Sequence, residues 1–133
     1  MLRGADTRTN KQKINWLVQM RKYTEHQIQK SVMTWASYVP ELRLLFAIPN
    51  GGFRTKSEAG KFKAEGVKAG VPDLFLPVAR RQYHGLFLEM KTVHGKVRPN
   101  QREWHEKLIE QGYKVSVCHS FDDAQKALTE YIS

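Results

Sequence analysis

Two acids and one lysine of the 133-residue chain sit where charge is costly. Glu89 and Lys91 lie in Leu86-Phe87-Leu88-Glu89-Met90-Lys91, an apolar run whose continuity predicts a strand covered on both faces. Side chains alternate along a strand, so Glu89 and Lys91 share a face with Phe87. Asp73 interrupts a second apolar run, Gly70-Val71-Pro72-Asp73-Leu74-Phe75-Leu76. A buried carboxylate or ammonium is tolerated only with a partner or a metal. A short turn joins the two runs, which predicts neighbouring strands and brings Asp73 beside Glu89. Carboxylates held close repel unless a cation lies between them, and hard oxygen ligands select Mg2+ or Mn2+. Lys91 is then placed to hold or polarise a water, or to steady a phosphate. That set is the equipment of metal-assisted phosphodiester hydrolysis. Each part also has a plain reading: Glu-x-Lys as a cross-strand ion pair or an exposed strand end, and Asp73 as a turn residue after proline.

A third acid lies on a predicted helix. Glu25 shares one helical face with Ile28, Gln29, Val32 and Ala36, so Glu25 and Gln29 extend an apolar stripe. An acid at the positive end of a helix dipole needs no function, and both readings of Glu25 stand.

The elements that must position these residues have clear punctuation. Thr24 with Gln27 reads as a capping box opening a helix with the apolar face Ile28, Val32, Trp35, Ala36 and Val39, ended by Pro40. Leu42 to Ile48 reads as a strand entering the tight loop Pro49-Asn50-Gly51-Gly52. Thr55 and Glu58 form a second capping box, with Ala59 and Phe62 inward and Gly66 as the stop. Val71–Val78 and His84–Val93 are the two strands already described. Arg98-Pro99 starts a helix with Trp104 and Leu108 inward, closed by Gly112. Tyr113 to His119 is a further strand, and Ser120 with Asp123 caps a last helix packing through Ala124, Ala127, Leu128 and Tyr131. The order α, β, α, β, β, α, β, α predicts one α/β domain with a mixed sheet over residues 24–133. Residues 1–23 read as a basic arm or short helix.

Composition narrows the partners. Lys and Arg total 22 against 13 acids, a net charge of +9 that favours an anionic polymer, nucleic acid foremost. Arg54, Lys56, Lys61, Lys63 and Lys68 flank the second helix, and Lys96, Arg98 and Arg102 follow the Glu-Met-Lys strand. Of these, Arg54, Lys56, Lys63, Lys96, Arg98 and Arg102 are the expected phosphate contacts, which supply affinity and register without a sequence code. Cys118 is the only cysteine, so an internal disulfide and a thiolate zinc cage are excluded, and an intracellular, reducing compartment is expected. No run approaches the ~20 apolar residues of a membrane span, and residues 1–6 lack a signal-peptide core. Ala59-Gly60-Lys61 is not a phosphate loop, since Phe62 stands where Ser or Thr is required. The five histidines lack metal-ligand spacing and read as surface or packing residues. No Gly-x-Ser-x-Gly elbow is present.

Taken together, four stretches closely resemble the virus-type replication-repair nuclease (VRR-NUC) family of the PD-(D/E)XK superfamily. They are Pro49-Asn50-Gly51-Gly52, Glu65 to Leu74, Gly85 to Lys91 and Gln101-Arg102-Glu103-Trp104. The resemblance runs from about Thr24 to the C-terminus. It implies a restriction-endonuclease-like α/β core, with a central mixed four-stranded sheet flanked by helices. It also implies a Mg2+- or Mn2+-dependent deoxyribonuclease. Asp73, Glu89 and the Met90 carbonyl would be metal ligands, and Lys91 the catalytic lysine that orients water. Glu25 would join the metal site, often through water, and Gln101 would border it. Stand-alone members are similar to Holliday-junction resolvases, so branched DNA as substrate and a homodimer are expected. A DNA-binding module without hydrolysis, and a nickase or exonuclease of unbranched DNA, are the competing expectations. Arg98 departs from the pattern, standing where relatives often place a small helix-capping residue.

Overall fold

The computed structural model describes residues 5–15, 24–49 and 55–133. Residues 10–15 are helical. Helix α1 (Glu25–Ala36) is opened by Thr24, whose side chain accepts the Gln27 N–H while the Gln27 side chain accepts the Thr24 N–H. The helix stops short of the expected Val39. Val39 precedes a proline, which disfavours the helical region, and it adopts φ −107°, ψ 112°.

The strand expected over Leu42–Ile48 is largely absent. Pro40–Leu42 form a 3-10 turn, and only Phe46–Ala47 (β1) pair with the sheet. Proline's fixed φ suits the start of such a turn, so the chain is spent turning before it can extend. Helix α2 (Lys56–Ala64), capped by Thr55 on the Glu58 N–H, follows. Strands β2 (Leu74–Leu76) and β3 (Leu86–Met90) are shorter than their apolar runs. Helix α3 (Pro99–Glu110) links β3 to β4 (Lys114–Cys118), and α4 (Phe121–Ile132) ends the chain. Among the described residues no helix is long and apolar enough to cross a membrane.

The four strands form one mixed sheet in chain order, with β1·β2 and β2·β3 antiparallel and β3·β4 parallel. A parallel pair needs a crossover, which α3 supplies. The pleat divides β3 between two environments. Leu86, Leu88 and Met90 are fully buried in a core with Leu74, Leu76 and Cys118 of the sheet, Val32 and Ala36 of α1, and Ala124, Leu128 and Tyr131 of α4. Tyr131 is anchored there by its hydroxyl, which donates to the Val78 carbonyl at 2.6 Å. The alternate residues Phe87, Glu89 and Lys91 point the other way, as the alternation predicts. Phe87 stacks on Phe75 at 4.2 Å and meets Tyr113 edge-on.

Candidate metal and nucleic-acid site

The antiparallel register sets Leu74 opposite Leu88, so Asp73 falls beside Glu89 at the mouth of the β2·β3 ladder. Asp73 is outside β2 proper but held in the sheet: its N–H donates to Leu88 O at 3.0 Å and its carbonyl accepts the Ile48 N–H at 2.8 Å. Its Oδ2 accepts the Met90 N–H at 2.7 Å. Main-chain bonds on both sides therefore fix where this carboxylate stands.

Glu89 is 1% exposed. Burial pushes its carboxyl up to about 9, and the hydrogen bond to Asp73 and the Asp73 charge add to the rise. Lys91 opposes the shift, and Glu25 adds to it. Two carboxyl groups thus stand together in a place where a cation would serve both. This chemistry fits a hard divalent ion held by Asp73, Glu89 and the Met90 carbonyl.

Lys91 is 4% exposed, and its chain continues the ladder, its N–H donating to Cys118 O at 2.8 Å. Its Nζ donates to Gln101 Oε1 at 2.7 Å. The same oxygen accepts the Arg98 N–H at 2.9 Å, so Gln101 both secures the start of α3 and holds the lysine. One turn along α3, His105 is buried and its Nε2 lies 3.1 Å from Glu89 Oε1. Burial and the Lys91 charge hold the imidazole below its ordinary value, against the pull of Asp73. A neutral ring with its hydrogen on Nε2 donates to that oxygen. Of the two expected readings, surface or packing, His105 takes the packing one, and its buried partner is the Glu89 carboxyl. Its position four residues after Gln101 was the available signal.

Helix α3 can lie this close because residue 70 is glycine. Gly70 has φ +92°, and a Cβ there would come within 2.9 Å of both the Asn100 carbonyl oxygen and Trp104 Cδ1.

Asp73, Lys91 and Gln101 open into a cleft of about 900 Å³, with Glu25 and Gln29 of α1 on one wall and Arg98 and Asn100 on another. Glu25 is exposed, and among the described residues no three His, Cys, Asp or Glu side chains gather as a metal-holding group. Glu25 thus faces the acid pair across the cleft without joining it in one cluster. His26 also lines this space. A smaller cavity of about 310 Å³, beside Ile28, Val93 and Phe121, contains none of the predicted site residues. Lys56, Lys63, Lys96, Arg98 and Arg102 are exposed, and of these only Arg98 lines the cleft. Arg54 and the loop residues Asn50-Gly51-Gly52 lie outside the described residues.

The VRR-NUC domain family matches the chain over residues 9–122. A solved structure described as a VRR_NUC domain protein is similar at 34% identity and a TM-score of 0.72, over 83% of this chain and 88% of its own. Another, described as a VRR_NUC domain, is similar at 22% identity and a TM-score of 0.54, over 82% of this chain and 99% of its own; it bears on the fold alone. No curated protein matches the chain. The fold is of the restriction-endonuclease-like α/β kind, a domain of nuclease type.

Proposed function

Since the chain belongs to the VRR-NUC domain family, we propose that it is a Mg2+- or Mn2+-dependent endonuclease that cuts phosphodiester bonds in branched DNA, Holliday junctions foremost, and works as a homodimer. The observation that carries the reading is the acid pair Asp73–Glu89, set side by side by strand register, with Asp73 opening into a cleft that Lys91 also lines and Glu89 buried beside it.

The residues divide the work. Asp73, Glu89 and the Met90 carbonyl would hold the cation, and Glu25, which lines the same cleft as Asp73, would add its charge to the site. A bound divalent ion supplies charge neutralisation at the phosphate and a more acidic water. Lys91 orients the attacking water or steadies a phosphate oxygen from the cleft floor, with Gln101 fixing where its ammonium points. Arg98, which lines the cleft, and the expected phosphate contacts Arg54, Lys56, Lys63, Lys96 and Arg102 take the DNA backbone; contacts of this kind confer affinity without reading sequence. Selectivity then rests on the shape of the DNA. The homodimer finds support in three large apolar side chains exposed close together in sequence, Tyr38, Leu44 and Phe46, at 82%, 57% and 48%.

The test compares wild type with Asp73→Ala and Lys91→Ala on a four-way junction, a flap and a plain duplex, with Mn2+ and with chelator. Wild type should cleave the junction only with metal, and both variants should lose roughly 10²–10⁴-fold or more in rate. Cleavage surviving in both variants sinks the site. Equal cleavage of all three substrates removes the preference for branched DNA.

A further inference from the structure

The predicted catalytic residues all come from the sheet, α1 and the first turn of α3, yet a further buried polar side chain, that of His105, reaches the acid pair. Along β3, Glu89 and Lys91 are two residues apart, about 6.6 Å of strand. Along α3, Gln101 and His105 are four residues apart, about 6 Å of helix. The two spacings match, and the pairs meet as two rungs: Lys91 Nζ on Gln101 Oε1 at 2.7 Å, and Glu89 Oε1 on His105 Nε2 at 3.1 Å. Gly70 lets the helix approach closely enough for both.

We propose that His105 is a positioning residue of the metal centre, whose ring hydrogen holds Glu89 so that the carboxylate stays turned toward Asp73. The assignment rests on the metal reading given above. A free glutamate on a strand has several rotamers, and a ligand that must find its rotamer at each binding event binds more weakly. A ring on a helix packed against the sheet cannot swing away. His105 itself lies at 8% exposure and off the cleft lining, so it acts through Glu89 and not on DNA.

The experiment measures Mn2+ binding to the full chain without DNA, by calorimetry, for wild type, His105→Ala, His105→Gln and Asp73→Ala. Melting of the metal-free chains and kcat and KM on a four-way junction are recorded alongside. The alanine variant should bind Mn2+ roughly 10–100-fold more weakly, as removal of a hydrogen-bonded partner of a metal ligand does elsewhere. Its KM for DNA should stay unchanged. Glutamine carries an N–H near the Nε2 position and should recover most of the Mn2+ affinity. Wild-type Mn2+ affinity in His105→Ala overturns the proposal. So does an equal loss in the alanine and glutamine variants that tracks lowered melting of the metal-free chains, since that marks mere helix packing. A wild-type chain that binds no more Mn2+ than Asp73→Ala overturns the metal reading, and with it the role of His105.

Discussion

Burial first, and then the Asp73 carboxylate, raise the Glu89 carboxyl well above the ordinary range. That has a measurable sign. The ordinary carboxyl value is 4.5 and the folded one about 9. Between those limits the folded chain holds a proton that the unfolded chain has released, so raising pH favours unfolding. In chelator, wild-type melting should fall relative to Glu89→Gln as pH rises from 5 to 9, and added Mn2+ should narrow the gap. Parallel melting curves across that range would show that Glu89 is not held protonated. At this scale much was legible. Asp73, Glu89 and Lys91 each break an apolar strand, and a charge in such a run must be explained. His105 broke no pattern, because a histidine on a half-exposed helix is ordinary. Only a partner on another element distinguishes it, and sequence spacing names that partner once the β3–α3 pairing is known.

Element ends defined by local bonds were readable, whereas the extent of each strand, which depends on distant partners, was not. The caps at Thr24, Thr55 and Ser120 rest on a side chain reaching a backbone N–H three residues on, and each is found, at 3.1, 3.0 and 3.0 Å. Whether Leu42–Ile48 extends as a strand depends on what lies opposite, and β2 offers β1 only Phe75 and Leu74. At the head of α3, Arg98 occupies a cap position without a side-chain cap bond and lines the cleft instead. A Ser there would offer the Gln101 N–H an acceptor three residues back; with Arg98 that N–H goes to Asn100 Oδ1 at 3.0 Å, and a cation faces the cleft. Replacing Arg98 with Ser should therefore raise melting, by up to about 1 kcal/mol of stability. It should also weaken DNA binding and lower the salt slope by about one. A variant that melts higher and binds DNA as wild type would remove Arg98 from the interface.

The whole molecule is a sheet with two unlike faces. One face closes on α1 and α4 as an apolar core, and the other carries the aromatic row of Phe75, Phe87 and Tyr113 and the acid pair under α3. Amphipathic spacing made the first face legible. The second required knowing that α3 crosses it, which the order of elements suggested and the β3·β4 pairing fixed. A net charge of +9 predicts phosphate-led docking, so junction affinity should fall steeply, by about 10³-fold or more between 50 and 200 mM salt if six or more phosphates are engaged. A flat salt dependence would place recognition elsewhere. The contrast between β3 and α2 carries a last consequence. All five residues of β3 are buried, while none of the nine in α2 is. Amide hydrogens of β3 should exchange with solvent only when the entire domain unfolds, whereas those of α2 should exchange through local opening at far lower free energy. Deuterium uptake resolved by peptide would separate the two, and equal protection would refute the division. On the proposed reading, the lysine-bearing helix would reshape itself around a bent or crossed duplex while the strand that bears Glu89 stays as still as the core behind it.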